Sequence, residues 1–190
     1  MALLPFLDRP FAIIDIETTG TSANGDRITE VAVLYDDGDE LREWSTLLNP
    51  GVDIPYHITK LTGIDNAMVS DAPVFDDVAA DLHNLINERV FIAHNAPFDF
   101  GFLAQAFERW GVILESPRLC TVRLSRKLFP EEYRHNLDYL SQRFSLKSDT
   151  RHRAMADAQL VWQLLLAMSD RQPIDYIAKQ VQQQLKAGKR

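Results

Sequence analysis

The sequence is poor in cysteine and contains no long apolar run. Its 190 residues include one cysteine, Cys120, which excludes an internal disulfide and a cysteine-based zinc site. No apolar stretch approaches about 18 residues, so we expect no transmembrane helix and no membrane partner. The N-terminus has neither the basic start nor the long apolar core of a signal peptide. Together these absences favour a cytoplasmic protein in a reducing compartment.

Basic residues are also in deficit. Lys and Arg number 20 against 27 Asp and Glu, a net charge of −7, which argues against a protein whose main role is to grip nucleic acid through a basic face. The deficit leaves open an enzyme that visits only a chain end. We divide the chain into a main domain over residues 1–170 and a basic C-terminal helical tail over residues 171–190.

The tail differs from the body in charge. Residues 171–190 carry five basic side chains and one acidic side chain, a balance of +4, which leaves −11 for residues 1–170. Such a tail is either a contact arm for nucleic acid or a partner, or a solvated helix. Its apolar residues recur at helical spacing, so it either packs on the body or docks on a partner: Ile174, Ile177, Val181 and Leu185.

Apolar alternation and turn residues predict an α/β fold. Strands are expected at residues 11–16, 27–35, 41–48 and 90–93, with the first three forming a hairpin meander. Helices are expected at 57–61, 74–87, from 95–97 onward, 121–129, 136–143, 154–169 and 174–187. Strands followed by a strand and several helices indicate a mixed sheet flanked by helices.

The first predicted strand contains two carboxylates. In FAIIDIETTG, residues 11–20, Asp15 and Glu17 interrupt an otherwise apolar run. Residues two apart in a strand share a face, so both side chains project together. Two like charges held so close repel unless a cation lies between them, and the next basic residue is Arg27. This stretch therefore predicts a metal site.

A second carboxylate segment lies where a strand meets a helix. In VFIAHNAPFDFGFL, residues 90–103, Asp99 falls in the first turn of the predicted helix. One explanation is that the helix dipole stabilises an anion there. The other is functional, because open α/β sheets carry their sites where strands end and helices begin. Asn95 fits the N-cap position and His94 fits a packing role near the site.

The third segment pairs a histidine with a carboxylate. In HRAMAD, residues 152–157, His152 and Asp157 are five apart and do not share a helical face. They can converge only if His152 lies in the preceding loop and Asp157 in the helix. Four carboxylates from separate segments suit hard divalent cations, and a histidine is a base that titrates near neutrality.

The three segments resemble the motifs of a known enzyme family. DIETTG (15–20), HNAPFDFGFL (94–103) and HRAMAD (152–157) are similar to the motifs of the DnaQ-like 3′–5′ exonucleases that have a histidine in the third motif, the DEDDh group. The best-known member is the proofreading epsilon subunit of bacterial DNA polymerase III. The resemblance covers about residues 9–169, and three motifs in order are far more specific than one.

The resemblance implies a fold and a chemistry. The fold is RNase H-like, a five-stranded mixed sheet with helices on both faces. The activity is metal-dependent hydrolysis from the 3′ end of DNA, single-stranded or frayed, with release of nucleoside 5′-monophosphates. Two Mg²⁺ or Mn²⁺ ions would be held by Asp15, Glu17, Asp99 and Asp157, with His152 as the general base.

The resemblance also implies substrate contacts and partners. Thr18, Thr19 and Gly20 would line the 3′-terminal nucleotide. Leu61 and Thr62 match positions that pack on its sugar and base, and Phe102 matches an aromatic near the last two bases. Polymerase-linked relatives bind the polymerase through a C-terminal segment, which implies a polymerase or other partner for the tail.

Several alternatives stay open at the level of sequence. An RNA-trimming enzyme of the same family is one, because only a contact with the 2′-hydroxyl would separate it from a DNA enzyme. A catalytically idle scaffold is another, although all four carboxylates and the histidine are present. Glu30 is either a carboxylate that supports the site or an outward-facing residue. Phe98 and Phe100 are expected in the core.

Overall fold

The sheet has five strands in the order β3-β2-β1-β4-β5. The computed structural model describes residues 3–38, 40–148 and 152–187. The central strand β1 pairs antiparallel with β2 and parallel with β4, β2 pairs antiparallel with β3, and β4 pairs parallel with β5. The strands are Phe11–Thr18, Ile28–Asp36, Leu41–Leu47, Val90–Ala93 and Arg118–Cys120. The predicted mixed five-stranded sheet is confirmed.

Helices cover both faces of the sheet. In the described part of the chain they are α1 Tyr56–Thr62, α2 Asn66–Val69, α3 Phe75–Ile86, α4 Ala96–Trp110, α5 Thr121–Leu128, α6 Leu137–Phe144, α7 Ala154–Arg171 and α8 Ile174–Ala187. Side chains from α5, α6, α7 and α8 fill the core on one face of the sheet, and side chains from α3 and α4 fill the core on the other face. None of the helices in the described ranges is long and apolar enough to cross a membrane.

Alternation along β1 decides on which face the carboxylates lie. Phe11 and Ile13 are buried in the core beneath α7, whereas Ala12, Ile14 and Ile16 are buried in the core beneath α4. Side chains alternate along a strand, so residues 15 and 17 continue the first series. Asp15 and Glu17 therefore project on the α7 side of the sheet.

Two short elements were not predicted, and β1 is longer than expected. β5 has three residues and α2 has four, too few for an apolar period to show. β1 continues to Thr18 instead of ending at residue 16, because its last residues still pair with β2. The predicted helical segments otherwise appear within a few residues of their expected bounds.

The C-terminal helix packs on the body. Ile177, Val181 and Leu185 on α8 are buried in the same core as α7. Gln184 also accepts a hydrogen bond through Oε1 from the backbone N–H of Cys120, at 3.1 Å. Of the two roles that the sequence allowed for the apolar stripe of the tail, the structure shows packing on the body.

Candidate active site

Three of the four predicted carboxylates converge at the end of β1. One carboxylate oxygen from each of Asp15, Glu17 and Asp157 lies within 4.8 Å of the others. Asp15 and Glu17 come from β1, and Asp157 comes from the first turn of α7. Asp157 is buried and the other two are half-buried. Three carboxylates this close together form a ligand set suited to a hard divalent cation.

Asp99 lies beside this group but is not one of its three members. It occupies the first turn of α4 and is 4% exposed. Burial raises the pKa of Asp99 to about 8, and the charge of Glu17 adds to the rise, while backbone hydrogen bonds at Asp99 and Ile16 oppose it. The hydrogen bond at Ile16 and the charge of Glu17 both act at short range, so the carboxyl group of Asp99 lies next to the end of β1. A positive charge in the site would lower this pKa and favour the carboxylate.

His152 lies in the loop that immediately precedes α7. That helix begins at Ala154 and carries Asp157 in its first turn, which is the arrangement that the five-residue spacing required. His152 is half-buried and has a left-handed backbone, with φ of 58°. Such a conformation is uncommon for a residue other than glycine and persists only where the surroundings hold it. Its ring nitrogens are not part of the three-carboxylate group.

Glu30 faces inward and binds the start of α7. Its side chain accepts hydrogen bonds from the Arg153 guanidinium at 2.8–3.2 Å and from the backbone N–H of Ala154 at 2.9 Å. It is 6% exposed. The outward-facing alternative for Glu30 is therefore wrong, because β2 and α7 enclose the carboxylate.

The turn after β1 uses its hydroxyl groups internally. The hydroxyl of Thr18 donates to the carbonyl of Gly20 at 2.5 Å, and the hydroxyl of Thr19 accepts from the N–H of Arg27 at 3.0 Å. The backbone N–H of Thr19 also donates to the carbonyl of Arg27, at 2.8 Å. Both threonine side chains are buried. The turn is thus tied to the start of β2.

Gly20 lies against the side chain of Asp26. A Cβ atom at this position would lie 2.5 Å from the Asp26 carboxyl group, which is itself fixed by the N–H of Ser22 at 2.8 Å. We expect Gly20→Ala to lower the free energy of unfolding by about 1–3 kcal/mol through this overlap. Urea denaturation would measure the change.

The matched control for that substitution is Gly101→Ala. Gly101 is a helical glycine in α4, and a Cβ atom added there would have nothing within 4 Å of it. Alanine there should leave stability unchanged or raise it by about 0.5–1 kcal/mol, because glycine is a poor helix former. A Gly20→Ala protein as stable as the unsubstituted chain would show that Asp26 does not constrain the turn.

The other predicted substrate residues differ in accessibility. Leu61 is 53% exposed. Thr62 is buried, and its hydroxyl donates to the carbonyl of Ile58 and accepts from the N–H of Ile64, both at 3.1 Å. Phe102 is 3% exposed and its ring lies 5.0 Å from that of Phe98. Among these three, Leu61 presents an open apolar side chain.

The residues around Asp99 have mainly structural contacts. His94 contacts the Thr121 hydroxyl and the His135 carbonyl, both at 2.9 Å, which agrees with its expected packing role. Asn95 occupies the N-cap position of α4, but its backbone is left-handed and its side chain makes no capping bond. Phe98 and Phe100 pack, partly buried, against the core beneath α4.

A cleft beside the β1–β2 turn contains two arginines that were not predicted as site residues. Its volume is about 220 Å³, and Arg27 and Arg109 line it together with Asn49, Asp76 and Ala106. Within the part of the chain that the structure describes, neither guanidinium forms an ion pair. Partial burial and the charge of Arg27 lower the pKa of Arg109, and Asp76 opposes this. Such a cleft favours an anion.

Sequence features point to two of the arginines near the site, Arg109 and Arg153. Arg109 lies seven residues after Phe102, which places both on one helical stripe. Arg153 lies at the start of α7, where the helix dipole disfavours a cation. A basic residue in that position indicates an acidic partner from elsewhere in the chain.

Comparison with known proteins shows the family. Residues 12–165 match the family described as Exonuclease, RNase_T. The chain is 31% identical over 162 residues to the DNA polymerase III epsilon subunit of Aquifex aeolicus, a match that covers 84% of this chain and 80% of that protein. It is 37% identical over 164 residues to the 3′-5′ exonuclease DinG of Bacillus subtilis, a match that covers 85% of this chain and 18% of DinG.

Other matches are to parts of larger proteins and to solved structures. The chain is 36% identical over 159 residues to the PolC-type DNA polymerase III of Clostridium perfringens, but that match spans 83% of this chain and 11% of the polymerase. Exonuclease X, solved with 5′ overhanging duplex DNA, superposes with a TM-score of 0.70 at 24% identity, covering 90% of this chain and 99% of its own. The chain belongs to the exonuclease family, among the DnaQ-like 3′–5′ exonucleases that include the epsilon subunits of DNA polymerase III.

Proposed function

We propose that this exonuclease hydrolyses phosphodiester bonds from the 3′ end of single-stranded or frayed DNA and releases nucleoside 5′-monophosphates. The observation that carries the proposal is the convergence of Asp15, Glu17 and Asp157 within 4.8 Å, with Asp99 buried beside them. The names of the relatives support the polarity and the substrate, since they include a 3′-5′ exonuclease and DNA polymerase III proteins.

The residues of the site fit divalent cations. Asp15, Glu17 and Asp157 offer hard oxygen donors, and the raised pKa of Asp99 reflects the burial of its carboxyl group. We propose two Mg²⁺ or Mn²⁺ ions held by these four side chains. When bound, such ions stabilise the charge that develops on the attacking and departing oxygens of a phosphoryl transfer.

His152 is proposed as the general base. It accepts the proton of the water that attacks phosphorus, while the bond between phosphorus and the 3′ oxygen of the preceding nucleotide breaks and that oxygen takes up a proton from solvent. The products are a nucleoside 5′-monophosphate and a DNA strand shortened by one residue with a free 3′-hydroxyl. A positioned base of this kind contributes about 10²–10⁴-fold to the rate.

The terminal nucleotide must leave its base pair to reach the carboxylates. Unstacking costs a few kcal/mol, and less at a mismatch. The exposed side chain of Leu61 can recover part of this cost by packing on the terminal base and sugar. In the structure Thr62 and Phe102 are buried, so their proposed role is to support the pocket wall. The turn Thr18–Gly20 would contact the nucleotide through its backbone, because both threonine hydroxyls are engaged.

We propose that Arg27 and Arg109 bind a phosphate of the strand upstream of the scissile bond. Arg109 lies seven residues beyond Phe102 along α4, a rise of about 10 Å. Arg109→Ala should raise KM for a single-stranded oligonucleotide and reduce the slope of log KM against log salt by about 0.7, the share of one phosphate. Steady-state kinetics at several salt concentrations would measure this.

The control for Arg109→Ala is a substrate without an upstream phosphate. Hydrolysis of the 4-nitrophenyl ester of thymidine 5′-monophosphate should be unchanged in this variant. Arg126→Ala, at an exposed position of α5, which packs against the edge strand β5, should leave hydrolysis of both substrates unaffected. Equal salt slopes for the Arg109→Ala and unsubstituted proteins would rule out the phosphate contact.

A polymerase partner is proposed from the likeness to the epsilon subunit. The apolar side of α8 is buried in the body, so a partner would meet the exposed side of that helix, which carries Lys179 and Lys186. A complementary partner surface would be acidic.

The function is tested with 5′-labelled single-stranded DNA and RNA of matched sequence, incubated with Mg²⁺, Mn²⁺ or EDTA. We expect a ladder shortened from the 3′ end of DNA, with nucleoside 5′-monophosphates as products and no reaction in EDTA. A preference for RNA would assign the chain to RNA 3′-end trimming instead. No product from either substrate would favour the scaffold alternative.

A further inference from the structure

We propose that Glu30 and Arg153 are a positioning pair that sets the placement of His152 and Asp157 against the carboxylates of β1. The proposal deepens the proposed function and rests on it for its kinetic consequences. Its structural part, an anchored start of α7, stands on hydrogen bonds between β2 and α7 and can be tested without activity.

The N-terminus of α7 has no local cap. Arg153 occupies the N-cap position and its side chain makes no capping bond, whereas Ser, Thr, Asp or Asn is usual there. Glu30, 124 residues away in sequence, supplies the missing acceptor through its bond to the Ala154 N–H at 2.9 Å. Both partners are buried, at 6% and 0% exposure. A buried N–H left without an acceptor is costly, so this contact fixes where the helix begins.

Arg153 compensates the charge of Glu30. Its Nε lies 3.2 and 3.1 Å from the two carboxylate oxygens, and its Nη2 lies 2.8 Å from Oε1. Glu30 is the cross-strand partner of Glu17, and like charges directly opposite on two strands repel. The hydrogen bonds that Arg153 donates to Glu30 raise the pKa of Arg153, and the charge of Glu17 adds to this. Arg153 thus neutralises the charge of Glu30, and Glu30 is not a member of the three-carboxylate group.

The pair lies between two residues of the proposed chemistry. His152 directly precedes Arg153, and Asp157 lies one turn beyond, where its N–H donates to the Arg153 carbonyl at 3.1 Å. The left-handed backbone of His152 also needs support from its surroundings. Loosening the pair should displace both side chains together. A displacement of about 1 Å in a catalytic arrangement costs on the order of 100-fold in rate.

The test uses three single variants, one double variant and one matched control. Arg153→Met removes both the positive charge and the hydrogen-bond donors of the guanidinium, whereas Arg153→Lys keeps the charge. Glu30→Gln keeps an oxygen acceptor for the Ala154 N–H but loses the ion pair. Arg143→Met is the control, because Arg143 on α6 forms a similar ion pair away from α7. Its Nε lies 2.7 Å from Oε1 of the buried Glu132 side chain. The substrate is the 4-nitrophenyl ester of thymidine 5′-monophosphate, measured with saturating Mg²⁺.

We expect Arg153→Met to lower kcat about 100-fold with KM within twofold, and Arg153→Lys to recover part of the loss. The double variant Glu30→Gln/Arg153→Met should be no worse than the poorer single variant, because both disrupt one interaction. Arg143→Met should stay within twofold of the unsubstituted enzyme. Unchanged kcat in Arg153→Met, or an equal loss in Arg143→Met, would overturn the proposal.

Hydrogen exchange separates failure of this proposal from failure of the proposed function. Amide exchange in residues 152–157 should be faster in Arg153→Met and Glu30→Gln than in the unsubstituted protein, with the strands of the sheet unchanged. This readout holds even if the unsubstituted protein releases no nucleotide. Unchanged protection throughout residues 154–157 in Arg153→Met, in which the ion pair is lost, would show that the pair does not anchor α7.

Discussion

Asp15→Asn should abolish turnover while leaving the fold intact. Asp15 comes from the central strand and shares the close carboxylate group with Glu17 and Asp157, so its loss removes one charge from the proposed cation site. We expect kcat to fall by about 10³-fold or more, the scale typical of losing a residue central to the chemistry. In EDTA the variant should be as stable as the unsubstituted protein or more so, because one repulsive charge is gone.

Two measurements check this prediction. Release of 5′-monophosphates from single-stranded DNA in Mg²⁺ reports turnover, and urea denaturation in EDTA reports stability. Glu115→Gln is the control, since Glu115 is exposed in the loop between α4 and β5 and should alter neither. Near-full activity of Asp15→Asn with Mg²⁺ would make the metal assignment wrong. Loss of activity together with loss of stability would assign Asp15 a structural role instead.

Asp99→Asn should change the pH dependence of stability as well as activity. In the protein free of metal, burial raises the pKa of Asp99 to about 8, well above its ordinary value of 3.8. Between these two values the folded state binds a proton that the unfolded state has lost. The free energy of unfolding should therefore fall as pH rises from about 4 to 8, by on the order of a few kcal/mol in total. Above pH 8 this dependence should cease.

The variant has no carboxyl group at this position to ionise, so that component of the pH dependence should disappear. We expect Asp99→Asn in EDTA to be more stable than the unsubstituted protein at pH 8 and similar to it at pH 4–5. Mg²⁺ should stabilise the unsubstituted protein at pH 8 and stabilise the variant much less. Urea denaturation at three pH values, with and without Mg²⁺, gives these comparisons. Parallel pH curves for the two proteins would show that Asp99 ionises freely in the fold.

The placement of the proposed metal ligands and general base followed from simple periodicity. The two-residue repeat of a strand put Asp15 and Glu17 on one face, and the five-residue spacing put His152 in a loop and Asp157 in a helix. Both arrangements are found in the structure. These features could be predicted because they depend on local backbone geometry alone.

Other parts of the site depend on contacts between distant segments. Glu30 and the start of α7 are more than 120 residues apart in sequence, and no local pattern links them. Gly20 was expected to line the 3′-terminal nucleotide, yet the neighbour that a Cβ atom would meet is the Asp26 side chain. The short β5 strand is defined by pairing with β4 rather than by any repeat of its own. Such features are set by tertiary packing, which overrides local preference.

The proposed hydrolysis depends above all on cations held by the carboxylates at the end of β1. The most direct test is a crystal structure with Mn²⁺ and thymidine 5′-monophosphate, in which anomalous scattering locates the metal. We predict anomalous peaks bound by Asp15, Glu17, Asp99 and Asp157, with the nucleotide phosphate beside them and His152 facing it. Protein that degrades DNA from the 3′ end with Mn²⁺ but shows no peak at these carboxylates would contradict the metal assignment.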